Sequence, residues 1–176
     1  MMRFDRFTEK AQEAAMRAYE ILQRYKHAQV DAEHLFLALL EQPTSVVSQI
    51  LGKLGIPTEV VGNKVKNVLE AIPKTDHTSN SSKPQAQIFV TRRVKHILER
   101  AAEESSKLGD EYIDTVHIFL AIAGEKDTSI ASILRKANIT QERIYEVIKG
   151  VADSKHNSKR ITKILPEPEK VAIHAV

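Results

Sequence analysis

The sequence predicts an all-α fold, in which a duplicated four-helix repeat forms one pseudo-twofold eight-helix bundle. Apolar residues recur at the spacing of one helical face, and no segment alternates long enough to indicate a sheet. The chain also contains an internal repeat. Shifting it by 83 residues aligns positions 8–68 with 91–151 without a gap, and 16 of the 61 pairs are identical. An ungapped match of this length indicates a tandem duplication.

Each copy is predicted to contain four helices. In the first copy, Thr8 and Asp31 precede apolar helical runs, where a side-chain oxygen can accept from a free N–H group at the helix start. The third helix is expected to stop at Gly55 and Pro57, and Thr58 is predicted to cap the fourth. The second copy repeats this plan from Thr91, Asp114, the Thr128–Ser129 region and Thr140.

The second helix of each copy is predicted to lie at the centre of the bundle. After His34 and after His117 the sequence is apolar on nearly every side, as expected of a buried helix. The identities between the copies also concentrate at apolar positions, which predicts one shared core. The residues expected to be buried are Phe36, Leu37, Ile50 and Leu51, with their partners Phe119, Leu120, Ile133 and Leu134.

The repeat also defines the domain organisation. Repeat one covers 8–72, a linker 73–87, and repeat two 90–151. The linker has two prolines and five Ser or Thr residues and lacks a large apolar side chain, which indicates a loop. Residues 1–151 are therefore predicted to form one helical domain, and 152–176, where the periodicity fades, a flexible C-terminal tail.

Composition excludes several classes of protein. The chain has 176 residues, 42% of them apolar, which is enough to bury a core. Its longest apolar stretch, Leu35 to Leu40, is too short to span a membrane. The charged start, MMRFDRF, is not a signal peptide, and the sequence has no cysteine, so we expect a cytoplasmic protein.

The charge balance does not favour nucleic acid as a partner. The chain has 26 Lys and Arg residues against 23 Asp and Glu, a net charge of +3. Basic residues mostly alternate with Glu along the predicted helices instead of forming a patch. A helical nucleic-acid binder remains an alternative because the sequence pI is near 9.0.

The sequence contains no recognisable catalytic motif. It lacks the phosphate-binding glycine loop, the His-Glu-x-x-His zinc motif and any cysteine nucleophile. His34 and His117 each lie alone in their copy, where the ring can bond to backbone groups at the helix start. We therefore expect no catalytic residue, cofactor or metal, and a small hydrolase using His34, Glu33 or His117 is an alternative from a different class.

Glu33 differs from its repeat partner. It lies in the first turn of a predicted helix, where free N–H groups and the helix dipole favour negative charge. It could stabilise the helix as a surface charge, in which case its loss barely affects the melting temperature. It could also offer a carboxylate to a cationic partner. The equivalent residue is Val116, so the fold itself does not need this charge.

Two pairs of motifs resemble the double Clp-N (Clp repeat) domain, the N-terminal domain of unfoldase chaperones such as ClpB, ClpC and ClpA. They are DAEHLFLALL with DTVHIFLAIA, and RFTEKAQEAAMRA with VTRRVKHILERA. The resemblance covers residues 1 to about 151 and is nearest to the ClpB and ClpC branches.

The resemblance implies a binding module instead of an enzyme. In the family, this domain captures unfolded or aggregated polypeptides or adaptor proteins and passes them to ATP-hydrolysing ring modules. Those modules would act in cis if the chain is one domain of a longer protein, or in trans if it is a standalone regulator of a Clp ATPase. Both arrangements stay open on the sequence.

The resemblance also implies candidate site residues. In ClpC-like members, a carboxylate at the position of Glu33 receives the guanidinium of phosphorylated arginine, with the region of Thr8 nearby. Because Val116 replaces the second carboxylate, we expect at most one such site, in repeat one. ClpB-like members instead use an apolar groove, and the area around the first-helix Thr, to contact unfolded chains.

Overall fold

The computed structural model describes residues 4–75 and 89–154. Most of the predicted linker and nearly all of the predicted tail lie outside these ranges. Within them the fold is all-helical, with a short 3₁₀ turn over Phe4–Arg6 and eight α-helices, which confirms the predicted fold class. The helices are α1 Glu9–Tyr25, α2 Ala32–Glu41, α3 Val46–Lys53, α4 Thr58–Ala71, α5 Arg92–Lys107, α6 Thr115–Gly124, α7 Ser129–Lys136 and α8 Gln141–Ser154.

Most helices begin where the sequence predicts. The Thr8 hydroxyl accepts from the Ala11 N–H group at 3.1 Å, and the Asp31 carboxylate accepts from the Ala32 N–H group at 2.7 Å. The predicted cap at Thr58 is wrong, because Thr58 is already the first residue of α4. Pro57 occupies the cap position, where its extended backbone directs its carbonyl group to accept the first N–H groups of the helix.

The two repeats meet through α2 and α6, at the centre of the bundle. The rings of Phe36 and Phe119 stack with centroids 6.0 Å apart and an interplanar angle of 27°. These two residues are equivalent under the 83-residue shift, so their contact lies across the pseudo-twofold axis that relates the repeats. Such a contact between like positions requires both copies, which unites them in one core.

The predicted core is confirmed with one exception. Seven of the eight predicted residues are at most 1% exposed, whereas Ile133 is only partly buried. In α7, Ile130 and Leu134 lie one turn apart and form the inward face. Ile133 is rotated away from that face, so it packs against the edge of the core.

A second set of contacts joins the repeats through their loops. Phe7 pairs with Ile113, and Val30 pairs with Val90, each as an isolated parallel bridge. The two pairs are equivalent under the 83-residue shift, because Phe7 corresponds to Val90 and Ile113 corresponds to Val30. The backbone hydrogen bonds of the two bridges are Thr8 N to Ile113 O, Ile113 N to Arg6 O, Val30 N to Phe89 O and Thr91 N to Val30 O, all 2.8–3.0 Å. Each repeat therefore inserts its first segment beside the α1–α2 or α5–α6 loop of the other.

Ordered structure extends slightly beyond the predicted end of each repeat. Helix α8 continues to Ser154, three residues past the predicted end of repeat two. After α4, both the N–H group and the hydroxyl of Thr75 donate to the carbonyl of Lys26, at 2.8 and 3.0 Å. The first residues of the predicted linker are thus held against the end of α1.

In the part of the chain that the structure describes, no single helix is long and apolar enough to cross a membrane. Helices α2 and α3 reach that length and hydropathy only when counted together, across a bend of 83°.

The shared core predicts the effect of truncating either central helix. Leu37→Ala or Leu120→Ala should lower the free energy of unfolding by about 2–5 kcal/mol, because both side chains are buried and their loss leaves a cavity. Denaturant-induced unfolding followed by circular dichroism measures the change. The control Val60→Ala, at a side chain 47% exposed, should cost about 0.5 kcal/mol or less. Equal effects at Leu37 and Val60 would contradict the shared core.

Candidate functional site

The starts of α2 and α6 are each held by the opposite repeat. The Thr8 hydroxyl donates to Asp114 Oδ1 at 3.0 Å, and the Thr91 hydroxyl donates to Asp31 Oδ1 at 3.2 Å. The sequence predicts Thr8 close to Glu33, whereas the hydroxyl that bonds to the capping Asp31 of the Glu33 helix start is that of Thr91. The pseudo-twofold exchange places Thr91 at the helix start that carries Glu33, and it places the buried Thr8 at the start of α6.

The two helix starts differ in charge. In repeat one, the Arg93 guanidinium donates to both oxygens of Asp31 at 3.2 Å. The equivalent of Arg93 is Lys10, which donates to the carbonyl of Pro43. Asp114 is only 1% exposed, and burial raises the pKa of its carboxyl group. A cation thus balances the carboxylate at the start of α2, whereas the carboxylate at the start of α6 is held by neutral donors.

Glu33 is buried instead of exposed, which corrects the expectation of a surface charge. It is 4% exposed, and its Oε2 has no hydrogen-bond partner among the described residues. Burial raises the pKa of the Glu33 carboxyl, and the neighbouring Asp31 raises it further. Its own N–H group and the Arg93 guanidinium act in the opposite direction. A buried carboxylate oxygen without a partner among the described residues favours a cationic hydrogen-bond donor.

Val116 occupies the same place in repeat two and is fully buried. An isopropyl side chain offers no hydrogen bond, so the two helix starts differ in the polar groups they contain. The sequence difference between Glu33 and Val116 is thus also a difference in buried charge between the two repeats.

An apolar groove lies between α1 and α5, where the two repeats meet. Its volume is about 770 Å³. Met16 lies on its rim and is 70% exposed, while Lys95 and Glu99 supply charge along α5. The buried side chains that line it are Phe7, Ala11, Ala18, Val30, Leu35, Val94 and Ile118. Because its walls belong to different repeats, inspection of either repeat alone does not predict this groove.

Both helix-start histidines bond to the backbone as the sequence predicts. Nδ1 of His34 accepts from the Asp31 N–H group at 2.9 Å, and Nδ1 of His117 accepts from the Asp114 N–H group at 2.8 Å. Each completes a capping box, with an imidazole in the place of the usual Glu or Gln.

The second ring nitrogens have different partners, which sequence reasoning missed. His34 Nε2 lies 2.8 Å from His27 Nδ1, and His117 Nε2 lies 2.9 Å from Asp110 Oδ2. The 83-residue shift aligns His27 with Asp110. This difference between the repeats was the sequence signal that could have indicated the two different partners. All four side chains are buried.

Burial determines the titration of the histidines in repeat one. Desolvation, with a smaller contribution from His27, lowers the pKa of His34 to about 4. Desolvation also lowers the pKa of His27, while the carbonyl groups of Ile72 and Leu69 oppose this shift. Within the described ranges, no group of three or more His, Cys, Asp or Glu residues could hold a metal ion.

Comparison with known proteins identifies the family. Residues 6–156 match the family model described as the Clp repeat (R) N-terminal domain. The chain belongs to this family. The match covers both repeats and both helix-start motifs, so the resemblance seen in the sequence is confirmed.

Curated members of the family include ClpB chaperones. The chain is 32% identical to ClpB of Nitratidesulfovibrio vulgaris over 167 residues, which cover 94% of this chain and 18% of that protein. It is 32% identical to ClpB of Clostridium tetani over 152 residues, 85% of this chain and 17% of that protein. The Clp repeat chain thus spans less than a fifth of the length of these relatives.

Solved structures agree on the fold. The N-terminal domain of Hsp104 from Candida albicans has a TM-score of 0.67 and 22% identity, covering 88% of this chain and 94% of that one. The N-domain of ClpV from Vibrio cholerae has a TM-score of 0.64 and 17% identity, covering 80% and 81%. The chain therefore has the fold of the N-terminal domains of Clp-type chaperones.

The burial of Glu33 predicts a pH-dependent effect on stability. Glu33→Gln should raise the free energy of unfolding at pH 7 by about 1 kcal/mol, because it removes an unpaired buried charge. A raised carboxyl pKa means that the folded state takes up the proton first, so the ionised form is the destabilised one. The gain should vanish as the pH falls through the pKa of folded Glu33 towards 4.5, where both states are protonated.

Thermal unfolding at pH 7 and pH 4 measures this gain, with Glu59→Gln as the matched control. Glu59 also lies in the first turn of a helix, but it is exposed. Its substitution should cost about 0.3–1 kcal/mol, through the lost interaction with the helix dipole. A loss of stability in both variants at pH 7 would contradict the burial argument.

Proposed function

We propose that this Clp repeat chain is a non-catalytic module that binds segments of unfolded or aggregated polypeptides, or of adaptor proteins, in the groove between α1 and α5. It presents them to a Clp-type ATPase acting in cis or in trans, in the cytoplasm. The observation that carries this proposal is the apolar groove at the interface between the repeats, with its buried floor and exposed methionine rim.

The dimensions of the groove favour a short apolar segment of a polypeptide. A volume of about 770 Å³ accommodates a few side chains and not a folded domain. Burying one Leu or Phe side chain contributes about 1.5–3 kcal/mol, so two or three anchors give weak and reversible binding. The unbranched and polarisable Met16 side chain can adapt to different apolar partners. These properties suit a receptor that accepts many sequences.

A structural neighbour supports peptide binding by this fold. The ClpV N-domain has been solved in complex with a VipB peptide, and it covers 79% of this chain with a TM-score of 0.58 and 19% identity. That observation concerns ClpV. It supports the proposal here because the same helical framework accommodates a peptide ligand.

The rim methionine provides the test of the groove. Met16→Asp should weaken binding of a fluorescein-labelled, reduced and carboxymethylated lactalbumin by about tenfold, because it places a charge beside the apolar floor. Fluorescence anisotropy measures the affinity. Since Met16 is 70% exposed, the substitution should leave the fold intact.

The matched control is Val60→Asp, which adds the same charge at an exposed position on α4, away from the groove lining. It should bind the labelled polypeptide as the unmodified chain does. Equal affinities for both variants would place polypeptide binding outside the groove.

A second candidate function is recognition of a guanidinium group at Glu33. The observation that favours it is the buried Oε2 at the start of α2, which has no hydrogen-bond partner in the part of the chain that the structure describes. A guanidinium could donate two hydrogen bonds to this carboxylate, and free N–H groups at the helix start could donate to the phosphate oxygens of a phosphorylated arginine. The bond from the Thr91 hydroxyl to Asp31 supports Thr91, in addition to the expected Thr8, as a neighbour of this site.

If phosphoarginine binds, isothermal titration with a phosphoarginine peptide should give one site per chain. Glu33→Ala should abolish binding, whereas Val116→Ala should leave it unchanged, since Val116 offers no polar atom. Two equivalent sites, or normal binding by the Glu33→Ala variant, would exclude recognition at Glu33. Polypeptide capture in the groove would then be the better account.

A further inference from the structure

Repeat one contains a hydrogen-bonded pair of buried histidines where repeat two has a histidine and an aspartate. His27 and His34 are 3% and 1% exposed, and 2.8 Å separates Nδ1 of His27 from Nε2 of His34. The ring of His27 also stacks on Tyr25, with centroids 5.7 Å apart. The equivalent atoms in repeat two are Asp110 Oδ2 and His117 Nε2.

Counting protons shows that the histidine pair accommodates two and no more. His34 Nδ1 accepts from the Asp31 N–H group, so the proton of the neutral ring is on Nε2. That proton is donated to His27 Nδ1, which places the second proton on His27 Nε2. A third proton must go either onto His34 Nδ1, facing an N–H donor, or into the 2.8 Å gap, which already holds one. The first position breaks the capping bond from Asp31, and the second breaks the bond between the two rings.

The aspartate of repeat two removes this restriction. Asp110 Oδ2 accepts from His117 Nε2, while Asp110 Oδ1 is buried without a partner among the described residues. A proton can therefore add to Oδ1 while Oδ2 continues to accept. The capping bond from Asp114 to His117 Nδ1 is unaffected by that addition.

We propose that the His27–His34 pair makes repeat one acid-sensitive, so that uptake of a proton releases the start of α2 while the start of α6 stays closed. This device is separate from groove binding and does not depend on the proposed function. It acts on the contact between the repeats, because Asp31 accepts from Thr91 and Arg93 of repeat two. It also acts on Glu33, which follows Asp31 by two residues at the same helix start.

The charged groups around the pair do not cancel this effect. From α4 and the segment that follows it, Glu70 favours the protonated form of His27, and Lys74 disfavours it. From the loop before α2, Asp31 favours the protonated form of His34, and His27 disfavours it. Burial outweighs all of these, so both rings are neutral in the folded chain at pH 7.

Hydrogen exchange of the complete chain, followed by NMR, tests the proposal within one molecule. The amide of Asp31 reports the start of α2, and the amide of Asp114 reports the start of α6. A ring that titrates near 6.5 when released and near 4 when held implies an opening about 30-fold more frequent at pH 5 than at pH 7.5. Protection of the Asp31 amide should therefore fall about 30-fold relative to that of Asp114. Equal pH dependence of the two amides would overturn the proposal.

Exchanging the partners between the repeats provides matched variants. His27→Asp should abolish the pH dependence of the ratio between the two amides, and Asp110→His should make the Asp114 amide acid-sensitive. A His27→Asp variant that keeps the unmodified pH dependence would overturn the role of the pair. If either variant fails to fold, the comparison within the unmodified chain still decides.

Discussion

The reciprocal hydrogen bonds between a threonine of one repeat and an aspartate of the other are the interaction on which this fold depends. Asp114 caps α6 and also accepts from Thr8, 106 residues away in the chain, and Asp31 caps α2 and accepts from Thr91. Separating the repeats would deprive the buried Asp114 carboxylate of the Thr8 hydroxyl and the half-buried Asp31 carboxylate of the Thr91 hydroxyl. The loss of a hydrogen-bond donor to a buried carboxylate is costly. The two copies therefore form one cooperative unit, although either copy alone contains four helices.

The same contacts build the groove. The segments that cross between the repeats contribute Phe7, Val30 and Val90 to its lining, and α1 and α5 form its walls. A groove built in this way exists only when the repeats are joined. Its apolar floor is continuous with the core, so a bound polypeptide would extend the hydrophobic core outwards. Substitutions on the exposed rim can change binding without disturbing the fold.

The helix caps and the shared core could be predicted from the sequence, while the loop contacts that join the repeats could not. Thr8 and Asp31 act as caps because a cap requires only its own helix start. Thr58 does not, because Pro57 already fixes the entry to α4. The burial of Glu33 escaped prediction because the segment that packs against the start of α2 comes from beyond the linker. Pairing of His34 through its second ring nitrogen likewise depends on how the α1–α2 loop folds back.

The duplication shows which positions determine the fold and which were free to change. Phe36 and Phe119 contact each other across the pseudo-axis, so a change in one alters the packing of its own counterpart. His27 and Asp110 each bond to a histidine of their own repeat, and each satisfies the same imidazole nitrogen by a different chemistry. Differences between the repeats can therefore accumulate beside the central contact without weakening it. Repeat one carries a buried carboxylate and a buried histidine pair at the same helix start, so the proposed guanidinium site and the proposed site of proton uptake are physically adjacent there.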